Sequence, residues 1–428
     1  MLALRLTRVA HPAVQLRRLT VVAASAGTGF LLLCSLAYAL GHPEESGAAL
    51  LRLSWCVVPL TATVYLTVVV ARTDPATRPR AALSALGLGP GRLMAVSAAT
   101  TVLSCTAGSL LALLLFLHLR GDLTGLPFDG AASGFLAAGK RLPVPGALTL
   151  LAIVPVLASA AVAWSLRPRE PRPAGRATGT APPVRDEAPA AGAAPEDATV
   201  EAGPEAAAEA GCEAAPVDDA DPHRPLPPRR PPAGLPWGVA VLAVGLTVEA
   251  YAGRSASRTA LPSGLAADSA PVLAGWLLTA LGLALAGPGL THLCGRVLQA
   301  VRPGAVRLLA GRVLMEEAGR IGRPLGVVCA VASGAYAAVA LSGGSAPSLG
   351  PLTALGGLLV AGCAVAALLT AAVEARQSRS ATIAALRRLG APATTLRSAA
   401  ALRAGALLAL FVPLTLAVAG LAALPLAR

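Results

Sequence analysis

One stretch of this sequence has the spacing of a nucleotide-binding motif, Gly134-x4-Gly139-Lys140. A phosphate-binding loop of this type needs Ser or Thr after the lysine to bind magnesium, and it follows a β-strand. Arg141 occupies that position here, and the segment lies in an expected extracellular loop with no strand before it. We therefore expect no ATP binding at this site.

No other spacing in the sequence is typical of catalysis or metal binding. HExxH and GxSxG are absent, and the five histidines lie far apart. The seven cysteines lack CxxC spacing, and six of them fall in or beside apolar runs, which is typical of small buried hydrophobic residues. We expect a chain that is not an enzyme and that holds no metal and no cofactor.

Three charged residues near apolar runs require an interpretation. Glu249 is the only acid well inside such a run, and an acid within a membrane is a functional candidate. Its nearness to the outer end of the run favours instead a carboxylate that is solvated or that pairs with Arg254. Arg312 and Glu316 have the i,i+4 spacing of a structural ion pair on one helix.

The composition defines the class of protein. Of 428 residues, 55% are hydrophobic, 13% are charged and 3% are aromatic, and glycine contributes another 44 residues. Soluble domains carry about 25% charged residues, so this chain cannot cover a globular surface with charge. An intrinsically disordered chain, a collagen-like repeat and a disulfide scaffold are excluded as well. The chain is expected to be an integral membrane protein.

The apolar runs predict an all-α fold, a polytopic transmembrane helical bundle of about nine spans. A helix needs roughly 20 apolar residues to cross the hydrocarbon core of a bilayer. The predicted spans are 20–40, 53–71, 93–117, 147–166, 235–252, 271–290, 325–342, 352–373 and 402–424. The first run is too long for a signal peptide and another span follows at once, so an uncleaved anchor is favoured over cleavage after Ala37-Tyr38-Ala39.

The placement of arginine predicts the orientation. Twenty basic residues lie in 1–19, 72–92, 296–324 and 374–403, against seven in the opposite loops and the C-terminus. The positive-inside rule then places the N-terminus in the cytoplasm of a multi-pass cell-membrane protein. Residues 167–233 carry a net charge of −4, and the +17 of the remainder is divided among short segments between apolar runs, so the chain lacks the continuous basic stripe of a nucleic-acid-binding face.

One segment differs from the rest in composition. Residues 167–233 contain 15 of the 36 prolines, eight arginines and twelve acids. Such a segment buries too little apolar surface to offset its ordering entropy, so we expect a disordered cytoplasmic linker. It divides the chain into a first transmembrane unit (1–166, four spans), the linker (167–233), two connecting spans (234–300) and a second unit (301–428, three spans).

The two units share a repeated cytoplasmic segment. Ala81-Ala-Leu83-x-x-Leu86-Gly87 and Ala384-Ala-Leu386-x-x-Leu389-Gly390 match at an offset of 303, and each lies between two spans. A weaker match at an offset of 306 relates the preceding spans, for example Val21 and Val22 with Val327 and Val328. We favour duplication of a module, although Ala- and Leu-rich helices also match by chance.

Each repeated segment predicts a short amphipathic helix at the cytoplasmic surface of the membrane. Leucines at three-residue spacing form a narrow apolar stripe. Gly87 and Gly390 suit the left-handed position that ends a helix. The second copy is strongly basic, so it can contact anionic lipid or an acidic groove on a partner protein, and composition alone favours membrane lipid.

The arrangement of span, basic helix and span resembles the FtsX-like (MacB-type) permease domain of ABC transporters. The most similar stretch is Thr382-Ile-Ala-Ala-Leu-Arg-Arg-Leu-Gly-Ala-Pro-Ala-Thr-Thr-Leu-Arg397, and residues 81–93 are a more degenerate copy. The chain departs from that family in lacking a large extracellular domain after the first span of each unit. The final span of the second unit is missing as well.

The resemblance implies a permease-like subunit that couples to a separate cytoplasmic ABC-type ATPase, itself a dimer. The implied ATPase contacts are the following residues of the two cytoplasmic segments: Leu83, Leu86, Gly87, Leu386, Arg387, Arg388, Leu389 and Gly390. The alternative is a membrane scaffold or sensor that transports nothing and whose linker recruits a cytoplasmic partner. An ion- or proton-coupled carrier is less favoured because charged residues in mid-membrane are scarce.

Overall fold

In the computed structural model, ten α-helices and no strand occur within the residues that the structure describes, which are 12–73, 90–123, 130–167, 234–256, 269–300, 304–341, 350–390 and 392–423. The helices are α1 Pro12–Gly41, α2 Ser46–Trp55, α3 Val57–Thr73, α4 Pro90–Arg120, α5 Val144–Ser165, α6 Gly234–Ala256, α7 Ser269–Ala300, α8 Ala305–Leu341, α9 Pro351–Arg388 and α10 Ala393–Ala423. The linker 167–233 lies almost wholly outside this description, so its predicted disorder stays a prediction.

The chain is a multi-pass membrane protein with an all-α fold. Within the described residues, eight helical stretches are long and apolar enough to cross a membrane, with α2 and α3 counted as the single stretch Ser46–Thr73. Nine spans are predicted from the sequence. The remaining predicted span, 325–342, is helical as far as the description reaches, to Leu341 at the end of α8, but it is not among the eight.

The helices extend beyond the predicted spans in two places. The loop expected at 41–52 is shorter than predicted, because α2 already begins at Ser46 and continues into α3 through a single turn at Cys56. The charged segment before the predicted span 325–342 belongs to the same helix as that span, since α8 runs through Pro324 without interruption. Both differences reflect helix propagation past the apolar stretch, which hydropathy alone does not mark.

α1 lies at the centre of the first unit and contacts α3, α4 and α5. The Ser25 hydroxyl donates to the carbonyl of Cys105 at 2.9 Å, and a Cβ on Gly108 would lie 2.5 Å from the Val22 carbonyl oxygen. Small residues at 104–108–112 therefore allow α1 and α4 to approach closely. Gly405 of α10 has no such role among the described residues, because no atom lies within 4 Å of the position that its Cβ would occupy.

α6 and α7 pack antiparallel in a single repeating register. Five contacts pair a larger residue with glycine, at spacings that alternate between three and four residues, as in a coiled coil. The pairs are Leu235 with Gly289, Ala286 with Gly238, Leu242 with Gly282, Thr279 with Gly245, and Glu249 with Gly275. A Cβ on any of these glycines would lie within 2.5 Å of an atom of its partner, so the two backbones approach closely only because the side chains are absent.

α7 packs against α8 through glycine contacts as well. A Cβ on Gly287 would lie 2.1 Å from the Gly322 carbonyl oxygen, and one on Gly326 would lie 2.2 Å from the Leu283 carbonyl oxygen. Further along, a Cβ on Gly295 would lie 2.8 Å from the carbonyl oxygen of Gly311. The two connecting spans are thus attached to the second unit through glycine contacts along the length of α7.

The buried faces of α3 and α9 repeat along the chain. The buried positions of α3 include Pro59, Thr63, Leu66, Thr67 and Ala71. A shift of 304 residues converts these into positions of α9 that are buried as well, namely Cys363, Ala367, Thr370, Ala371 and Ala375. α3 and α9 also contact each other. Two helices that present the same face to each other are what duplication of a module produces.

The other spans of the two units show related shifts. A shift of 305 converts some of the buried positions of α1, namely Val21, Ala24, Thr28 and Leu32, into Gly326, Cys329, Ser333 and Ala337 of α8, which are buried as well. A shift of 302 converts four of the eight buried positions of α4, namely Ser97, Ser109, Phe116 and Arg120, into buried Ala399, Phe411, Val418 and Ala422 of α10. The shift falls steadily from 305 to 302, as small length differences between duplicated helices would produce. For α3 with α9 and for α4 with α10, this recurrence supports duplication independently of the sequence match. For α1 with α8, the burial shift of 305 differs by one residue from the sequence offset of 306.

Substitution of one glycine tests the α6–α7 register. Gly282→Ala places a Cβ 2.5 Å from the Leu242 backbone nitrogen, so we expect the free energy of unfolding to fall by about 1–3 kcal/mol. Gly362→Ala is the matched control, because no atom lies within 4 Å of that Cβ position and alanine favours helix by up to about 1 kcal/mol. Thermal unfolding in detergent measures both. Equal midpoints for the two variants would contradict the register.

Candidate functional site

The strongest candidate site is the elbow, residues 383–390, where α9 ends before α10. Gly390 has φ = +88°, a left-handed conformation that glycine adopts without strain, and its N–H donates to the Arg387 carbonyl at 3.0 Å. This confirms the predicted helix-ending role of Gly390. The predicted short separate helix is wrong, because α9 continues unbroken from the span to Arg388. The sequence explains this continuity, since no glycine or proline occurs between Cys363 and Gly390.

The tip of the elbow exposes a basic and apolar surface. Leu389 is 84% exposed, and Arg387 and Arg388 are exposed beside it. Ile383 and Leu386 are half-buried. The predicted apolar stripe is therefore partly packed at these two residues and exposed at Leu389. An exposed leucine flanked by two arginines can bind an acidic surface that offers an apolar pocket, or it can insert among anionic lipid headgroups.

The first repeated segment lies outside the described residues. Leu83, Leu86 and Gly87 therefore cannot be compared with their counterparts in the elbow, and the next described element is α4, which begins at Pro90. Their predicted role as a second partner contact stays a prediction.

An ion pair connects α8 to the turn of α9 that precedes the elbow, here called the stem of the elbow. Arg379, three turns before the tip on α9, donates from Nη2 to Oε2 of Glu317 at 2.6 Å, and its Nε contacts Oε1 of the same carboxylate. The Arg379 Nε also donates to the Ala375 carbonyl at 3.0 Å, which fixes the direction of the side chain. A bidentate guanidinium–carboxylate contact has a defined geometry, so it holds α9 against α8 in one relative position.

The carboxylate of this pair is desolvated. Glu317 is 8% exposed, and burial raises the pKa of its carboxyl group while Arg379 and Arg403 oppose that shift. Arg403 belongs to α10, so charges from the two helices on either side of the elbow converge on one residue of α8. Removal of either partner of such a buried pair leaves an uncompensated charge.

Hydroxyl groups join α1, α3 and α9 at the centre of the bundle. The Thr28 and Thr63 hydroxyl oxygens lie 2.8 Å apart, and Thr63 Oγ1 lies 4.0 Å from Cys363 Sγ on α9. All three residues are buried, with Leu66 and Ala367 packed nearby. The contact between the two units is therefore made of small polar and apolar side chains without charge.

The segment that resembles a phosphate-binding loop is a cap over the end of α4. Residues 130–139 form consecutive turns, and α5 begins only at Val144. The Arg120 guanidinium, 4% exposed, donates to the Ala137 carbonyl at 3.3 Å and also to that of Lys140. Among the described residues, the element before these turns is a helix, α4, and no helix directly follows Gly139, so the strand–loop–helix geometry of a phosphate-binding loop is not observed there.

Glu249 does not lie in the environment that the sequence favours. The residue is 3% exposed, and its Oε1 accepts a hydrogen bond from the Thr279 hydroxyl at 3.0 Å. The expected solvated carboxylate is therefore wrong, because the glycine register draws Glu249 into the contact between α6 and α7. The side chain of Arg254 lies outside the described part, so the alternative pairing stays a prediction.

The predicted Arg312–Glu316 pair occurs at 3.9 Å, with both side chains exposed. Six cysteines fall within the described residues; all are free and five are buried. Among the described residues, His, Cys, Asp and Glu form no group of three that could hold a metal ion.

Comparisons of this chain with protein-family models, with curated proteins and with solved structures find no match.

Sequence reasoning missed the Glu317–Arg379 pair, although a signal for it was present. Glu316 and Glu317 are adjacent, and successive residues of a helix point about 100° apart. Glu316 faces Arg312, so Glu317 faces another direction and requires a partner from another helix. Only the structure identifies that partner, because 62 residues separate Glu317 from Arg379.

Replacement of Arg379 tests the pair. We expect Arg379→Met to lower the free energy of unfolding by about 3–5 kcal/mol, because Glu317 is left buried without its partner. The matched control is Arg312→Met, which removes the exposed pair with Glu316 and should cost less than about 1 kcal/mol. Denaturant or thermal unfolding in detergent measures both. A double variant, Arg379→Met with Glu317→Leu, should recover much of the loss, and a lack of recovery would contradict the assignment.

Proposed function

We propose that this chain is the permease-like membrane subunit of an ABC transporter and that it binds a separate cytoplasmic ATPase dimer. The observation that carries the proposal is the elbow. An unbroken helix extends from an apolar span to a tip that ends at a glycine, and the tip exposes Leu389 next to two exposed arginines. The tip has the chemistry that a docking helix needs, an apolar anchor within a basic rim.

The geometry of the elbow suits transmission of force. α9 has neither glycine nor proline in the 26 residues from Ala364 to Leu389, so displacement of the tip is carried along a rigid rod into the span. The Glu317–Arg379 contact transfers the same displacement to α8. Closure of an ATPase dimer beneath the membrane would then move α8, α9 and α10 together as rigid bodies.

The repeated buried faces support the same proposal. An ATPase dimer has two equivalent docking surfaces, and a duplicated membrane subunit offers two equivalent docking segments. Leu83, Leu86 and Gly87 would form the second contact, related to the elbow by the pseudo-symmetry that α3 and α9 display. In this proposal the chain lies in the cell membrane with its N-terminus and both segments in the cytoplasm, as the distribution of arginine favours.

Co-purification tests the docking surface. We expect Leu389→Asp to abolish recovery of an ATPase subunit with the tagged chain, because a carboxylate replaces the exposed apolar anchor and opposes an acidic docking surface. Since Leu389 is 84% exposed, the substitution should leave the fold intact, which thermal unfolding in detergent checks.

Gln377→Asp is the matched control, since it introduces the same charge at an exposed position of the same helix, three turns before the tip. Retention of the ATPase by a folded Leu389→Asp variant would overturn the proposed docking site. Loss of the ATPase from both variants would show that added negative charge, and not the tip, determines binding.

Deletion of residues 170–232 separates the transporter from the scaffold alternative. A spacer can be shortened without loss of the ATPase, because the elbow remains in place. If the partner is lost on deletion and retained by Leu389→Asp, the linker recruits it and the scaffold function replaces the proposed one.

A further inference from the structure

Glu249 occupies a position that the register of α6 otherwise gives to leucine. Leu235, Leu242 and Glu249 recur every seven residues, and each lies over a glycine of α7. The side chain is thus fitted into the interface as a knob, and Gly275 is the hole that receives it, with a hypothetical Cβ only 2.5 Å from Glu249 Cγ. A leucine at 249 would continue the pattern, so the carboxyl group is an addition that packing does not require.

The two carboxyl oxygens of Glu249 differ in their surroundings. Oε1 accepts a hydrogen bond from the Thr279 hydroxyl at 3.0 Å, and Thr279 is itself 6% exposed. Oε2 is buried and has no hydrogen-bond partner among the described residues. One oxygen is therefore held as an acceptor, and the other is the atom on which a proton can reside.

Among the side chains that the structure describes, the charged groups of α7, α8 and α10 lie far from this carboxyl. On α8, Gly334 packs against Trp276, and Arg323 lies eleven residues before Gly334. The titratable groups of α7 after Thr279 are His292, Cys294 and Arg296, at least thirteen residues or about 20 Å of helix rise away. Cys294 donates to the carbonyl of Ala406 at 3.5 Å, so Arg397 and Arg403 of α10 lie towards the same remote end. On α6 itself, Tyr251 is 76% exposed and lies on the opposite side of the helix from Glu249.

We propose that Glu249 is a proton-binding site within the membrane, with the proton on Oε2 and the Thr279 hydroxyl bonded to Oε1. No described side chain brings a cation to this carboxyl. A carboxylate buried in an apolar helix interface is strongly disfavoured when it is unpaired, whereas the neutral acid is tolerated with one hydrogen bond. The proposal does not depend on the transporter function, because it rests on the α6–α7 contact alone.

Carbodiimide labelling of the full chain in lipid nanodiscs tests the site. A hydrophobic carbodiimide, dicyclohexylcarbodiimide, reacts with protonated carboxyl groups in apolar surroundings: the acid oxygen bonds to the central carbon, its proton moves to nitrogen, and acyl migration gives a stable N-acylurea. At neutral pH we expect this adduct on Glu249 by mass spectrometry, and its complete loss in Glu249→Gln. A water-soluble carbodiimide should leave Glu249 unmodified.

Two glutamates of α8 serve as internal controls. Glu316 is exposed beside Arg312, and Glu317 contacts the guanidinium of Arg379, so neither carboxyl lies in apolar surroundings without a cation and neither should react with the hydrophobic reagent at neutral pH. An unmodified Glu249 in the folded chain would overturn the proposal. An adduct that appears only in Arg254→Gln would also overturn it, since Glu249 would then be an ion-paired carboxylate in the wild type.

Discussion

Close backbone approach is the constraint on which the rest of this structure depends. Lipid is as apolar as leucine, so helices in a membrane gain little from burying leucine against leucine and rely instead on tight packing and hydrogen bonds. The chain meets this constraint with glycines in register along α6, α7 and α8 and with hydroxyl contacts such as Thr28 with Thr63. Charge is used sparingly. The buried pair joins Glu317, which lies outside the eight apolar stretches, to Arg379, which lies near the C-terminal end of the stretch Pro351–Arg388.

The glycine contacts, the α3–α9 contact and the buried ion pair have different mechanical roles. Glycine contacts along the whole of α7 attach the connecting spans to α8, whereas α3 and α9 meet through small side chains without charge at the centre. A bidentate ion pair then holds the stem of the elbow to α8. In the proposed transporter, force enters at the exposed tip, passes along α9 and across the ion pair, and reaches the other unit at the α3–α9 contact.

The sequence predicted the class of fold, because composition and span length are local properties of the chain. It also predicted the left-handed Gly390 from the helix-ending pattern. It failed where partners are distant in the chain. The burial of Glu249 follows from α7 glycines some 30 positions away, and the pairing of Glu317 depends on which face of α9 approaches α8. The absence of glycine and proline between Cys363 and Gly390 already indicated that α9 continues without interruption. The apolar stripe of the repeated segment favoured a separate helix instead, and that prediction was wrong.

The central claim is that one module was duplicated so that both glycine-terminated segments face the cytoplasm. In a cysteine-free background, single Leu83→Cys and Leu386→Cys variants can be labelled with a membrane-impermeant maleimide in sealed vesicles of known orientation. The account predicts that both cysteines react only in inside-out vesicles, with Lys140→Cys reacting only in right-side-out vesicles. Reaction of positions 83 and 386 from opposite sides of the membrane would contradict the duplication and remove the basis for the transporter function.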